Sequence, residues 1–461
     1  MATGAQKFDA IIIGAGQAGP PLAGRLTAAG HTVAVIERKL VGGTCVNYGC
    51  IPTKTLVASA YAARIARRGE EYGVGTGEVS VDMSKVKARK DKVMIGDREG
   101  VESWLKGMDN CTLIFGHARF EDPHTIRVDD EILKADKIFI NVGGRAVTPD
   151  MPGLSDVDYL TNVGILELDT LPEHLVIVGG SYIGLEFAQM YRRFGAQVTV
   201  IERGSRLTSR EDEDVSATIK EILENEGIAV ELDATDIAFR KRDNGFEVIP
   251  REGADPIAGT HLLIATGRRP NTDDLGLENA GVETDSRGYV VVDDHCRTNV
   301  EHIWAMGDCN GRGAFTHTSY NDFEIVAANL LDNDPRKISD RVPTYALYID
   351  PPLGRAGQTV AEVRKSGRKA LVGKRPMTRV GRAVEKGETQ GFMKVVVDAE
   401  NKLILGAAIL GVGGDEVVQD ILDVMAAKLP YTAISRTMHI HPTVSELVPT
   451  LLQEMTPLGR D

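Results

Sequence analysis

Residues 8–19 of the chain read FDAIIIGAGQAG, an apolar run that leads directly into a glycine-rich turn. The apolar run predicts a buried strand, and the apolar pattern from Leu22 onward predicts a helix. In a strand–turn–helix unit of this kind, Gly14 permits the tight turn, Gly16 lets a pyrophosphate approach the backbone, and Gly19 lets the helix pack on the strand. The segment therefore predicts a dinucleotide site with the phosphates at the helix N-terminus.

A second copy of this pattern follows later in the chain. The strand after the first helix ends at Glu37, whose carboxylate suits the hydroxyls of an adenosine ribose. Gly179, Gly184 and Glu202 repeat the arrangement, and the acid follows the first glycine at the same distance in both copies. Two such units predict two dinucleotides. Glu202 favours NADH and the following Arg203 suits the 2′-phosphate of NADPH, so the sequence leaves that choice open.

Two cysteines lie between the two copies, in the run GGTCVNYGCIPTK at residues 42–54. Cys45 and Cys50 are separated by four residues, and Pro52 suits the first turn of a helix that begins there. The positive end of that helix and the nearby Lys54 favour a thiolate. No second cysteine or histidine pair follows at zinc-like spacing, so the pattern predicts a redox dithiol and no metal site.

The composition predicts a multidomain protein of enzyme size. A chain of 461 residues is too long for one core, and 42% hydrophobic with 26% charged residues is ordinary for a globular protein. The formal charge of -13 and the lack of a long basic run argue against nucleic-acid binding. No signal-like or membrane-spanning apolar stretch is present, and five cysteines do not form a secreted disulfide framework. These features predict a cytoplasmic protein without a membrane partner.

The ordered motifs, together with His-x-His-Pro-Thr at residues 439–443, resemble the class I pyridine nucleotide–disulfide oxidoreductases. This family includes dihydrolipoamide dehydrogenase, glutathione reductase and mercuric reductase. The resemblance covers essentially the whole chain and implies an α/β fold with two Rossmann-like dinucleotide-binding domains and a C-terminal α+β dimerisation domain. It implies an FAD-binding domain at 1–150 and 276–342, an NAD(P)-binding domain at 151–275, and an interface domain at 343–461.

The resemblance also implies which residues hold the cofactors. For FAD these are Gly14, Gly16, Gly19, Glu37, Gly43, Thr44, Lys54, Ala118, Gly143 and Asp308. For NADPH or NADH they are Gly179, Gly184, Glu202, Arg203 and Gly267.

The implied catalytic route runs from NAD(P)H through FAD to a Cys45–Cys50 disulfide. Cys45 would exchange with the acceptor, and Cys50 would lie against the flavin. Lys54 would pair with Glu186 beside the flavin N5, where its charge would stabilise the reduced, anionic flavin and the thiolate.

The implied acid/base lies near the C-terminus. His441 would move the proton, and Glu446 would orient its imidazole. In this family the histidine serves the dithiol of the other subunit, so the resemblance implies a homodimer with a shared active site. The acceptor would be a small-molecule disulfide or oxidant.

Several acceptors remain open. The segment RED at 210–212, Ser181 in place of the middle glycine of the second turn, and the segment YALYIDPPLG at 345–354 look more like the mercuric reductase and reactive-chlorine-resistance branch than like dihydrolipoamide dehydrogenase. The last cysteine is Cys309, so the C-terminal cysteine pair that delivers metal in mercuric reductases is missing. Alternatives are metal-ion reduction, lipoamide dehydrogenation and soluble nicotinamide transhydrogenation, which needs no dithiol. A flavoprotein without catalysis would need none of the implied catalytic residues.

Overall fold

The computed structural model describes residues 5–459, which contain both strands and helices. The strands in this range are β1 Gln6–Ile13, β2 Val33–Glu37, β3 Cys111–Phe115, β4 Ala118–Asp122, β5 Thr125–Val128, β6 Glu131–Ile140, β7 Gly144–Ala146, β8 His174–Val178, β9 Gln197–Ile201, β10 Ala229–Glu231, β11 Ala238–Arg242, β12 Gly245–Ile249, β13 Ile257–Gly259, β14 His261–Ile264, β15 Arg268–Pro270, β16 Ile303–Ala305, β17 Thr344–Leu347, β18 Leu353–Gly357, β19 Ala370–Pro376, β20 Phe392–Asp398, β21 Ile404–Leu410 and β22 Thr456–Pro457.

Thirteen α-helices lie in the same range of residues. They are α1 Gly19–Ala28, α2 Gly43–Tyr48, α3 Cys50–Arg67, α4 Met83–Lys106, α5 Asn162–Ile165, α6 Tyr182–Phe194, α7 Glu213–Asn225, α8 Thr316–Ala327, α9 Val360–Lys365, α10 Gly381–Glu385, α11 Gly414–Ala426, α12 Thr432–Ser435 and α13 Leu447–Gln453. Helix α3 begins at Cys50 itself, two residues before Pro52, so proline lies inside the first turn where its missing N–H costs nothing.

The first sheet has the strand order β3-β2-β1-β6-β5-β4, and β16 also pairs with β6. Strand β1 lies between β2 and β6 in parallel, with Ile12 opposite Val35 on one side and Phe139 on the other. Helices cover both faces of such a parallel sheet, which explains the unbroken apolar run before Gly14. The strands β4 and β5 extend the sheet in antiparallel fashion.

The second sheet repeats the first on a smaller scale. Each sheet with its helices is called a unit, the first around β1 and the second around β8. Its order is β10-β9-β8-β14, and all its pairs are parallel. Strand β8 takes the place of β1, with Ile177 opposite Val200 and Leu263. The antiparallel pair β7–β15 lies where the chain leaves and re-enters the first unit. Because ligands of such sheets bind at the carboxyl ends of the strands, both glycine turns face binding crevices.

The C-terminal part is an antiparallel sheet in the order β17-β18-β21-β20-β19-β22. Its central strands β20 and β21 are buried along their whole length, because α11 and α13 pack on the sheet. The predicted fold class, with two Rossmann-like units and a C-terminal α+β unit, is confirmed. The residue limits of the three domains stay a prediction.

Candidate active site

The first glycine of each turn has a backbone that other residues rarely adopt. Gly14 has φ 105° and Gly179 has φ 122°. A Cβ at Gly14 would collide with the carbonyl oxygen of Asn141, and one at Gly179 would collide with that of Ala265. These carbonyls belong to the residues that follow β6 and β14. Both turns therefore need glycine for the backbone conformation and for the close approach of the neighbouring chain.

The other glycines of the turns divide into two kinds. A Cβ at Gly19 or Gly184 would collide with the carbonyl of the first glycine, which is what close packing of helix on strand requires. A Cβ at Gly16 would meet only ordinary contacts at 3.6 Å or more within the chain. Gly16 is therefore not needed for internal packing, and its open face fits a phosphate that approaches the backbone.

Glu37 and Glu202 make equivalent backbone contacts. Glu37 accepts hydrogen bonds from the N–H groups of Ala15 at 3.0 Å and Lys39 at 2.8 Å. Glu202 accepts hydrogen bonds from the N–H groups of Gly180 and Gly204, both at 2.7 Å. Each carboxylate is thus fixed at the rim of its turn, where a ribose would lie, and the sequence symmetry between the two copies extends to their hydrogen bonds.

One large cleft of about 2430 Å³ joins the two glycine turns and the cysteines. It is lined by most of the predicted cofactor residues, namely Gly14, Gly16, Glu37, Gly43, Thr44, Lys54, Ala118, Gly143, Arg203, Gly267 and Asp308. Four predicted cofactor residues do not line the cleft and belong to the turns or to a strand end, namely Gly19, Gly179, Gly184 and Glu202. The volume and the two open turns fit two extended dinucleotides.

Asp308 is another carboxylate that lines the cleft, besides Glu37. Burial raises the pKa of this carboxyl, and the guanidinium of Arg268, 3.3 Å away, opposes the rise. A half-buried carboxylate at the cleft wall is suited to accept hydrogen bonds from ligand hydroxyls. Asp308 therefore fits a ligand that carries hydroxyl groups, as the FAD implied by the resemblance does.

The dithiol lies where α2 meets α3. Cys45 is inside α2 and Cys50 is the first residue of α3, and both thiols are partly buried. The Cys50 sulfur lies 3.2 Å from the hydroxyl oxygen of Thr316. The hydrogen bond from Cys45, assisted by Thr316 and Lys54, lowers the pKa of Cys50 to about 6, although burial opposes this. The same bond and burial raise the pKa of Cys45. The Thr316 contact, the nearby Lys54 and the start of helix α3 therefore favour the thiolate of the reduced pair on Cys50.

Lys54 lies one turn further along α3. Its ammonium nitrogen is 2.7 Å from a carboxylate oxygen of Glu186, on helix α6 of the second unit. The other oxygen of Glu186 accepts a hydrogen bond from the N–H of Tyr348 at 3.0 Å, and Lys54 lies 4.5 Å from the centre of the Tyr348 ring. Residues from all three parts of the chain thus fix the ammonium beside the dithiol.

The contact between Thr316 and Cys50 predicts a measurable shift. A hydrogen bond to a charged group contributes about 1.5 kcal/mol, so Thr316→Val should raise the pKa of Cys50 by about one unit. The sign follows because loss of a donor to the thiolate favours the protonated form. We expect the pH midpoint of the long-wavelength thiolate–flavin absorbance, measured in a Cys45→Ser background, to rise accordingly.

Thr55→Val is the matched control for this prediction. Thr55 lies on the same helix as Cys50, but its hydroxyl donates to the carbonyl of Ile51. This control should leave the midpoint in place. A midpoint that is also unchanged in Thr316→Val would refute the role of the Thr316 hydroxyl.

His441 and Glu446 form the predicted pair near the C-terminus. The Nδ1 atom of His441 lies 2.9 Å and 3.1 Å from the two carboxylate oxygens of Glu446. The imidazole is 79% exposed, whereas Glu446 is 15% exposed. Neither residue is among those that line the cleft of the same chain. An oriented, exposed imidazole away from its own dithiol is the arrangement that a shared site between two subunits requires.

Arg64 and Arg67 on α3, and Arg68 directly after it, make contacts within the fold. Arg64 contacts Glu226 at 2.5 Å, Arg67 donates to the carbonyl of Arg193, and Arg68 contacts Glu71. The contacts of Arg64 and Arg67 connect α3 to the second unit, whereas the pair of Arg68 and Glu71 is local. These contacts favour a structural role over the capture of an anionic acceptor.

Sequence patterns did not identify several residues of the site. Asn141 donates through its amide to the carbonyls of Gly14 at 3.0 Å and Gly16 at 3.3 Å, which holds the first turn. Thr316 and Tyr348 contact the dithiol region from segments far away in the chain. Only Tyr348 lies in a segment that the sequence singled out, at 345–354, and nothing in that segment marked it as a site residue.

Comparisons with known proteins cover both parts of the chain. Residues 8–322 match the family described as "Pyridine nucleotide-disulphide oxidoreductase", and residues 343–452 match its dimerisation domain. The probable pyridine nucleotide-disulfide oxidoreductase RclA of Escherichia coli (strain K12) is 37% identical over 95% of this chain and 97% of its own length. A dihydrolipoyl dehydrogenase of Haloferax volcanii is 33% identical over 97% of this chain and 95% of its own length.

A solved structure is similar over nearly the whole chain. It is the Cu(II) complex of the HOCl-induced flavoprotein disulfide reductase RclA from Escherichia coli, with a TM-score of 0.89 and 37% identity. The match covers 97% of this chain and 99% of that one. The residues from 5 to 459 contain no helix that is both long and apolar enough to span a membrane.

Proposed function

Because the chain belongs to the pyridine nucleotide-disulphide oxidoreductase family, we propose that its Cys45–Cys50 pair passes electrons from NAD(P)H to a small disulfide. The observation that carries the proposal is the placement of Cys50. Its sulfur contacts Thr316, and Lys54 one turn later pairs with Glu186, inside the cleft that joins the two glycine turns. When bound, FAD and NAD(P)H supply the hydride transfer that brings two electrons to the dithiol.

We propose that the first turn, with Gly14, Gly16, Gly19 and Glu37, holds the adenosine part of FAD. Gly43 supports this turn, since a Cβ there would collide with Gly16. The remaining FAD contacts would come from Thr44, Lys54, Ala118, Gly143 and Asp308. The second turn, with Gly179, Gly184 and Glu202, would hold NAD(P)H, together with Arg203 and Gly267.

The dithiol would act by thiol–disulfide exchange. Cys45, once its proton has been removed, attacks one sulfur of the acceptor, forms a mixed disulfide and releases the first thiolate of the acceptor. The Cys50 thiolate then attacks the sulfur of Cys45, releases the second thiolate and closes the Cys45–Cys50 disulfide. The acceptor thus takes two electrons from the dithiol, one proton from Cys45 and a second proton from solvent.

The proton transfers would need an acid/base at Cys45. We propose that His441 of the partner subunit supplies it, oriented by a Glu446 carboxylate that accepts from Nδ1. In this arrangement Nε2 of the imidazole faces the dithiol. The match to a dimerisation domain supports a homodimer. In such a dimer each subunit would complete the site of the other.

The proposal is tested by a panel of acceptors. The purified protein is supplied with NADH or NADPH and offered glutathione disulfide, lipoamide, an aromatic disulfide and Cu(II). We expect turnover with at least one disulfide, and the better of the two nucleotides identifies the donor. If no disulfide is reduced although the flavin is reduced quickly, disulfide reduction is excluded as the function.

Reduction of a soft metal ion is the second candidate. A partly buried pair of thiols prefers soft ions, and a relative of this chain has been solved as its Cu(II) complex. Each Cu(II) ion takes one electron, so two ions would oxidise the dithiol to the disulfide. In the same panel, Cu(II) turnover that is faster than turnover of every disulfide would favour this candidate.

A further inference from the structure

Tyr182 lies in the wall of the cleft, near the pair of Lys54 and Glu186. It is the first residue of helix α6 and lines the cleft. Glu186, which pairs with Lys54, lies four residues later and therefore on the same face of the helix. A nicotinamide that reached a flavin held beside Lys54 would therefore come close to the Tyr182 ring.

The ring of Tyr182 is fixed from three directions. It packs edge-on against Phe315, with 6.2 Å between ring centres, and against Tyr345 at 5.4 Å. Its hydroxyl donates to a carboxylate oxygen of Glu211 at 3.3 Å. Phe315 directly precedes Thr316, whose hydroxyl contacts Cys50. The wall of the nucleotide cleft is thus continuous with the wall of the dithiol site.

Glu211 is the anchor of this arrangement. Its side chain is completely buried, and the same oxygen that accepts from Tyr182 accepts from the hydroxyl of Tyr345 at 2.6 Å. Burial raises the pKa of both phenols, so both stay protonated donors. The second oxygen of Glu211 has no hydrogen-bond partner within the described residues. It faces the buried guanidinium of Arg355 at 3.9 Å.

The anchor belongs to a buried charge cluster between the second unit and the C-terminal sheet. Arg355 on β18 also lies 3.5 Å from Asp212, and Lys394 on β20 contacts Asp212 at 2.8 Å. A buried carboxylate is retained only where cations and donors compensate its desolvation. Glu211 accepts a short hydrogen bond from Tyr345 on β17 and a longer one from Tyr182. The C-terminal domain therefore fixes Glu211, and Glu211 in turn restrains Tyr182.

We propose that Tyr345 and Glu211 are positioning residues for the nucleotide half of the reaction. Through them the C-terminal domain fixes the Tyr182 ring as a wall of the nicotinamide pocket. The inference rests on the proposed function, because it assumes that NAD(P)H enters beside Lys54. A loosened wall leaves the nicotinamide less well ordered, which weakens nucleotide binding and slows hydride transfer.

Three variants test this inference. They are Tyr345→Phe, Tyr182→Phe and the double variant, each of which removes hydroxyl groups and keeps the rings. The first readout is the dissociation constant of NAD⁺ or NADP⁺, measured by calorimetry on the oxidised protein. The second is the rate of flavin reduction by NADH or NADPH in anaerobic stopped flow. The dithiol-to-disulfide step is measured separately.

We expect Tyr345→Phe to weaken nucleotide binding about fivefold and to slow flavin reduction about tenfold. The double variant should be no slower than the slower single variant, because both hydroxyls act through the same carboxylate. The step from the dithiol to the disulfide should be unchanged.

Tyr191→Phe is the matched control. Tyr191 lies on the same helix, is buried, and donates its hydroxyl to the carbonyl of Ile165 at 2.9 Å. It should leave both readouts unchanged. Unchanged or tighter nucleotide binding in Tyr345→Phe, or independent effects that multiply in the double variant, would overturn the inference. If wild-type flavin is not reduced by either nucleotide, the proposed function fails instead.

Discussion

Cys45→Ser is expected to lower disulfide reductase turnover by at least about 10³-fold, which corresponds to about 4 kcal/mol of transition-state stabilisation. The hydroxyl of serine cannot form the mixed disulfide with the acceptor, so the exchange stops at its first step. Reduction of the flavin by NAD(P)H should continue, because the two glycine turns, Lys54 and Glu186 are unchanged. Steady-state assays with a disulfide and anaerobic stopped flow measure the two halves separately.

Cys111→Ser is the matched control for this variant. Cys111 lies on β3 and is also partly buried, but it does not line the cleft. It should retain both activities. Full disulfide turnover in Cys45→Ser would refute the exchange mechanism. If transfer of hydride between two nicotinamides were the only activity of the wild-type protein and survived in Cys45→Ser, the transhydrogenase alternative would take its place.

His441→Ala is expected to lower disulfide turnover by about 10²- to 10³-fold, the contribution typical of a positioned acid/base. Flavin reduction by NAD(P)H should change much less, because His441 does not line the nucleotide cleft of its own chain. Glu446→Gln should cause a smaller loss, about tenfold, since the imidazole stays in place but loses the carboxylate that fixes its tautomer.

A neighbouring histidine completes this test. His439→Ala is the control from the same segment, since His439 contacts only the carbonyl of Thr437 among the hydrogen bonds of the described residues. An equal loss of both half-reactions in His441→Ala would contradict the role assigned to it.

The sequence predicts the architecture well because the two dinucleotide units are local. A strand, a glycine turn, a helix and a terminal acid lie within about thirty residues, so the spacing of Gly14 and Glu37 already determines how they meet. The same holds for the dithiol and for His441 with Glu446, which are close in sequence. The fold class was predicted correctly for this reason.

The rest of the site depends on contacts between distant segments. Thr316 reaches Cys50, Tyr348 reaches Glu186, and Tyr345 reaches Glu211 only after the three parts of the chain have packed together. A hydroxyl or a phenol has no characteristic spacing, so the segments that contain Tyr345, Tyr348 and Glu211 resemble one branch of the family without showing which partners these residues contact. The burial of Glu211 likewise appears only in the packed structure. Burial makes its two hydrogen bonds stronger than they would be in water.

The most direct test of the central claim is an anaerobic titration of the purified protein with NADPH and, separately, with NADH. The claim is that the Cys50 thiolate lies against the flavin and receives its electrons. It predicts that a long-wavelength charge-transfer band appears after two electrons per subunit and is lost as the pH falls below about 6, where Cys50 becomes protonated. A flavin that bleaches without this band would show that the dithiol is not coupled to it.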